Sequence, residues 1–231
     1  MPSNRFYLNS SLIQGNEVIL EGDQCDHLNY IMRKKEGDSV ELFNGIGSLA
    51  KAKILKIEKT KATLALLEVT FKRPIVTPLT LIQALPRPSH LKFIIQKGTE
   101  LGVSSFHLFP SSRSETLALS PHHIKRLKQI SIEAAKQCGR LDLPKIYAVS
   151  NMEYLQLPEG NAYFGDLNGV RPLPYNRPPY LLFIGPEKGF TQKEQLAIKS
   201  NFQAQGVKLH PYTLRVETAA IVAVTLALQG V

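Results

Sequence analysis

The chain has 231 residues, 43% hydrophobic and 20% charged, with 28 Lys+Arg against 19 Asp+Glu for a formal net charge of +9. This composition excludes a largely disordered protein and leaves room for one large domain or two modest ones, each with its own core. The basic excess favours acidic partners such as nucleic acid, although many basic soluble proteins bind none. Two cysteines, Cys25 and Cys138, stand far apart without a CxxC pair, and Cys25 with His27 supplies only two potential metal ligands. A disulfide framework and a zinc site are therefore not expected, and no metal is. The N-terminus MPSNRFYLNS lacks an apolar signal core, and the apolar stretch Thr218 to Leu228 falls short of the ~20 residues that cross a bilayer. The expected location is the cytoplasm, away from any membrane.

The first third reads as β structure. Val18 to Leu20 and Ser39 to Phe43 suit short strands, and Asn44-Gly45 marks a turn. Leu49 to Ile57 and Lys61 to Val69 alternate Lys with Ala, Ile and Leu, so one face can pack while Lys51 and Lys53 meet water. Gly45 to Ala50 matches a GxGxxA dinucleotide pattern, but a strand-like run follows where a helix is required. Phe71 to Pro78 carries two prolines and reads as a linker, with a boundary near Arg73.

Beyond it, strands alternate with helices. Leu79 to Leu85 is an apolar run of strand length. Ser89 is placed to cap a helix from His90 to Leu101, with Gly102 as its stop. Phe106 to Phe109 follows as a strand, and Pro121 opens a second helix that ends near Gly139. Further strands are expected at Lys145 to Val149, Ala162 to Phe164, Tyr180 to Ile184 and Val207 to His210. This order predicts an α/β region with a mainly parallel sheet covered on both faces.

Three segments carry candidate chemistry. Leu181 to Thr191 is a buried-type strand, a glycine-bearing loop and a helix start, with Thr191 and Glu194 spaced as a capping box. Such a loop at a strand's carboxyl end is where α/β proteins bind ligands, although a plain strand-to-helix turn has the same local pattern. In the second, Arg215 and Glu217 stand where an all-round apolar helix begins, and that helix must be buried in a core or a subunit interface. Glu217 also suits the positive end of that helix. The third joins Gln96 to Val103 with Ser112 to Glu115, which alone would read as an amphipathic helix and a solvated loop.

The order of IQKGTELGV, RSE, EAAKQCGR, IGPEKGF and LRVETA resembles the SPOUT-superfamily family that methylates N3 of a uridine in 16S ribosomal RNA. Arg5-Phe6, His27 with Met32-Arg33, Gly37-Asp38 and Phe43-Asn44-Gly45 also fall where that family's PUA-like N-terminal domain has comparable residues. The resemblance spans nearly the whole chain. It implies a small β-barrel PUA-like domain over residues 1–73 that contacts RNA. A SPOUT α/β domain with a C-terminal trefoil knot would occupy residues 74–231, and the chain would be a homodimer.

The implied methyl donor is S-adenosylmethionine, held by Ile184, Gly185, Pro186, Glu187, Gly189, Leu209, His210, Pro211, Leu214, Thr218 and Ala219. The implied partner is 16S rRNA, free or in the assembled small subunit. Arg215 is the first candidate to stabilise a developing uridine anion and Arg5 the second, with Glu217 orienting Arg215 or capping the helix. No residue presents itself as a general base. Arg33, Lys34, Arg113, Lys125, Arg126, Lys128, Lys136 and Arg140 are candidate RNA contacts, and a solvated face competes with that reading for each.

Three positions depart from the family pattern: Lys188 replaces the second glycine of its PEGG segment, and His210 and Tyr212 replace its usual glycine and arginine. If the backbone at Lys188 is left-handed, the substitution costs about 1–2 kcal/mol. The competing readings are an RNA-binding protein of this fold with weakened catalysis, a SPOUT methyltransferase with another RNA target, and an unrelated small-molecule α/β enzyme.

Overall fold

The computed structural model describes residues 4–73, 78–169, 171–174 and 178–228. They fall into two compact units, the first comprising described residues 4–73 with 135–143 and the second the remainder.

The first unit contains β1 (Arg5–Tyr7), β2 (Glu17–Glu21), α1 (Gly22–Asp26), a π-helical turn at His27–Ile31, β3 (Ser39–Phe43), β4 (Ser48–Ile57) and β5 (Lys61–Phe71). The strands form one sheet in the order β1-β3-β4-β5-β2, with β1 parallel to β3 and the other pairs antiparallel. Alternation drives it: Ala50, Ala52 and Ile54 of β4 are buried, while Lys51, Lys53 and Leu55, each following one of them, are exposed. Phe6 of one edge strand and Leu20 of the other share a single core, so the sheet curls around it. The GxGxxA match leads into β4, a strand and not a helix, which removes the dinucleotide reading. Gly47 sits at φ 109°, and a Cβ there would lie 2.7 Å from the Lys72 carbonyl oxygen, so this glycine serves a tight turn.

The second unit is a parallel sheet, β6 (Leu79–Ala84), β7 (Ser105–Phe109), β8 (Lys145–Ala148), β9 (Asn161–Gly165), β10 (Tyr180–Ile184) and β11 (Gln205–Val207), in the order β11-β9-β10-β6-β7-β8. The central strands β6 and β10 are buried at every position, as their unbroken apolar runs require. α2 (Pro88–Glu100) and α5 (Val216–Ala227) pack on one face through Leu91, Ile94, Ile95, Ala220, Ala223 and Val224. α4 (Gln192–Phe202) covers the other through Ile198. α3 (Pro121–Cys138) begins in this unit, while its last residues belong to the first.

Two expected boundaries shift. α2 starts at Pro88 with Arg87 as its N-cap, so Ser89 lies within the first turn and does not cap. Proline at N1 explains the earlier start, because its fixed φ suits a helix and its missing N–H is not needed there. β11 ends at Val207, and Leu209 to His210 belong to the loop beyond it. α5 buries one side, whereas Ile221, Val222 and Leu226 remain partly open on this chain.

Candidate active site

The carboxyl ends of β9, β10 and β11 lie side by side, and the loops leaving them enclose a cleft of about 220 Å³. Gly165 to Leu167 line it after β9, Ile184 to Phe190 after β10, and Leu209, His210 and Tyr212 to Leu214 after β11; Val216 and Ala219 of α5 close it. Neighbouring strand ends are where a parallel sheet leaves backbone free to meet a ligand. Ile184, Leu209, Leu214, Val216 and Ala219 supply apolar walls, and Asp166 and Glu187 supply carboxylates. Lys188 adds an ammonium, so the lining suits a ligand joining an apolar ring to charged groups of both signs.

The β10 loop is held from several sides. Gly189 N–H donates to the Pro186 carbonyl at 2.8 Å, closing a turn, and Gly189 takes φ 64°. The left-handed residue is therefore Gly189, Lys188 is not at positive φ, and the anticipated strain at Lys188 does not arise. A Cβ on Gly185 would lie 3.0 Å from both Gly189 Cα and Phe190 N, so the loop folds back too tightly for any side chain there. Gln83, fully buried on β6, donates from Nε2 to the carbonyls of Ala84, Ile184 and Gly185 at 2.8, 3.2 and 3.1 Å. Arg113 donates to the Lys188 carbonyl at 2.8 Å.

Glu194 completes the capping box with Thr191 and also accepts from Ser112 N–H at 2.8 Å. Burial pushes the Glu194 carboxyl up, but the N–H groups of Thr191 and Ser112 outweigh it and hold the group below the usual carboxylate range. Glu187 behaves likewise. Burial raises it, and the Arg87 N–H at 2.9 Å with His90 Nδ1 at 2.7 Å more than offsets this, leaving it lowered.

Of the residues expected to hold a cofactor, Ile184, Gly185, Pro186, Glu187, Gly189, Leu209, His210, Leu214 and Ala219 line the cleft; Pro211 and Thr218 do not. His210 is exposed, accepts from Tyr212 N–H at 3.2 Å and packs its ring 5.6 Å from that of Tyr212. Thus the two departures in this loop pair with each other. Arg215, between lining residues Leu214 and Val216, is exposed and forms no side-chain hydrogen bond or ion pair among the described residues. Glu217 occupies the first turn of α5 as expected, yet it makes no ion pair with Arg215. Its Oε2 is buried without a hydrogen-bond partner among the described residues.

Arg5 is a buried cation of the first unit, with Nε and one terminal nitrogen on Glu41 Oε2 at 3.0 and 2.8 Å. Lys136 departs from the expectation of an exposed RNA contact: it is buried, with its ammonium 5.7 Å from the centre of the Phe6 ring. The last turn of α3 belongs to the first unit, and that turns this side chain inward. Arg140 is held by Asp142 at 2.6 and 3.0 Å. Arg33, Lys125, Arg126 and Lys128 are exposed, and Lys34 is half-buried.

Sequence reasoning missed Gly165, Asp166, Leu167 and Phe190 in the lining, and Gln83, Arg87 and His90 behind it. The Gly165-Asp166-Leu167 stretch was findable, since it leaves the end of a predicted strand. The residues behind the lining act from β6 and the start of α2, too far along the chain for any local motif.

Comparison with known proteins now decides the family. A family model described as an RNA methyltransferase domain matches residues 73–228, and one described as an RNA methyltransferase PUA domain matches residues 20–67. The chain belongs to the RNA methyltransferase family. Among its relatives, Ribosomal RNA small subunit methyltransferase E of Rickettsia conorii is 28% identical over 97% of this chain and 94% of its own length. The protein of the same name from Synechocystis sp. is 30% identical over 96% of this chain and 78% of its own. A crystal structure of Ribosomal RNA small subunit methyltransferase E from Neisseria gonorrhoeae, bound to S-adenosyl methionine, superposes with a TM-score of 0.83. It is 28% identical and covers 96% of this chain and 95% of that one. This RNA methyltransferase therefore pairs a PUA-like β domain with a SPOUT-type α/β domain.

Proposed function

We propose that this chain is an S-adenosylmethionine-dependent methyltransferase acting on N3 of a uridine in 16S rRNA. The observation that carries the reading is the cleft at the ends of β9, β10 and β11, whose apolar walls and two carboxylates match a donor with an adenine ring and a cationic sulfur. When bound, S-adenosylmethionine supplies an activated methyl group. Ile184, Leu209, Leu214, Val216 and Ala219 would hold its apolar part, with Asp166 and Glu187 facing its positive charge. The turn closed by Gly189, backed by Gln83 and Arg113, keeps that wall rigid.

Uridine N3 carries a proton that must leave, and a positive charge beside the ring lowers the cost of the resulting anion. Arg215 supports that role by being exposed at the cleft's edge with a guanidinium that engages no partner among the described residues. Arg5 is kept as the second candidate. We assign residues 1–73 to an RNA-contacting domain and methyl transfer to residues 74–231, whose basic residues also meet RNA, with the boundary near Arg73 and a trefoil knot in the C-terminal chain. Arg33, Lys34, Arg113, Lys125, Arg126 and Lys128 are the proposed RNA contacts. A homodimer is proposed because Ile221, Val222 and Leu226 of α5 stay partly open on one chain. A cytoplasmic location follows from action on ribosomal RNA.

Calorimetric titration with S-adenosylmethionine tests the donor site. Saturable one-to-one binding is expected, abolished or strongly weakened by Gly185→Val. Heatless titration of folded protein would remove the methyltransferase reading and leave an RNA-binding protein of this fold.

A further inference from the structure

We propose that His90 is a positioning residue that braces the donor loop against the start of α5 by facing Glu187 and Glu217 together. The inference rests on the cleft being the donor site and goes further, because His90 does not line the cleft. Its Nδ1 lies 2.7 Å from Glu187 Oε1 and 4.0 Å from Glu217 Oε2. Three elements distant in sequence meet at this ring: the first turn of α2, the loop after β10 and the first turn of α5. All three side chains are about three-quarters or more shielded, with exposures of 28, 27 and 19%, so charge acts here through a weaker dielectric than water.

Among the described residues the ion pairs of Glu187 and Glu217 are both with His90. Glu187 Oε1 also takes the Arg87 N–H at 2.9 Å, while the Arg87 guanidinium hydrogen-bonds Glu115 at 3.0 Å through two nitrogens and adds its charge to Glu187 without a direct contact. Lys188 follows Glu187 in the loop and is exposed. No Lys or Arg forms an ion pair with Glu187 or Glu217 among the described residues. Glu217 Oε2 is buried with no hydrogen-bond partner among the described residues. Two carboxylates thus converge on one imidazole, and only its protonated form offsets both.

A neutral ring still donates from Nδ1 to Glu187 but leaves Glu217 unbalanced. A charged ring therefore completes the brace, and a neutral one does not. Glu187 lines the cleft and Glu217 lies between the lining residues Val216 and Ala219. Loosening the brace consequently moves two walls of the donor site at once.

The test is calorimetric titration of the full chain with S-adenosylmethionine at about pH 6 and about pH 8, for the wild type, His90→Lys and His90→Gln. The donor's own amino group titrates in this range, but it does so alike for all three proteins. The wild type should lose about five-fold more affinity between the two pH values than His90→Lys, whose charge is permanent. His90→Gln should bind more weakly than the wild type at about pH 6 and match it at about pH 8, where its midpoint of thermal unfolding should also match the wild type's. Should His90→Gln not fold, the wild type against His90→Lys still decides. Equal pH dependence in those two proteins, or wild-type affinity in His90→Gln at both pH values, would overturn the proposal while leaving the donor site standing. A wild type that binds no donor at either pH would sink the donor-site reading and this inference with it.

Discussion

Arg5 in the first unit is 9% exposed and gives two nitrogens to Glu41, whereas Arg215 in the second stands exposed beside the cleft and engages no partner among the described residues. Lys136 and Arg140 side with Arg5, one against the Phe6 ring and the other on Asp142. The same charge thus serves two ends. A cation that is paired and shielded holds a fold together, and removing it leaves its partner's charge uncompensated. One kept free at a cleft costs the fold little and remains available to a substrate. Counting basic residues does not separate the two classes, but their partners do.

The comparison is broken most readily at Arg215. Arg215→Ala should lower the rate of methyl transfer about 100-fold with donor affinity within about two-fold, as single-turnover kinetics and calorimetry would read. Retention of most of the rate would show that the free guanidinium is idle. Gly185→Ala should come next. Its Cβ would meet the backbone of Gly189 and Phe190 at 3.0 Å, a clash worth about 1–3 kcal/mol, so donor affinity should drop roughly ten-fold or more. Arg5→Met should lower the unfolding free energy by about 2 kcal/mol in a denaturant titration, with Glu41 partly open to water limiting the loss. If Arg5→Met instead folds normally and transfers no methyl, Arg5 belongs with Arg215.

Glu194→Gln should cost about 1 kcal/mol, because the cap and the Ser112 contact both weaken. The folded-state value of Glu194 is lowered, so its contribution is present above the ordinary glutamate range and is lost as pH falls through the lowered value. The gap in thermal midpoint between wild type and Glu194→Gln should therefore close on acidification below about pH 4. Lys188→Gly should have the smallest effect, less than about two-fold in donor affinity, because Gly189 already carries the left-handed turn.

Much of the fold was legible because its signals are local. Alternating Lys with Ala and Ile gave β4 and β5, unbroken apolar runs gave β6 and β10, and Pro121 marked the start of α3. β1 was missed because three residues carry no period, and its pairing with β3 is what defines it. The cleft was half legible. The loop after β10 announced itself by its glycines and capping box, while Asp166 needed the strand order that brings β9, β10 and β11 together. His90 and Gln83 were invisible, since each meets the β10 loop roughly a hundred residues along the chain. Lys136 misled because helical periodicity does not reveal that the helix's last turn belongs to another unit.

The central claim is met most directly by transferring methyl from labelled S-adenosylmethionine to small ribosomal subunits, and to naked 16S rRNA, from cells lacking this protein, followed by mapping of the modified base. The account predicts label on a single uridine, at N3, in at least one of the two substrates. Label on another base or on a ribose, or none on either substrate from a protein that binds the donor, would contradict it.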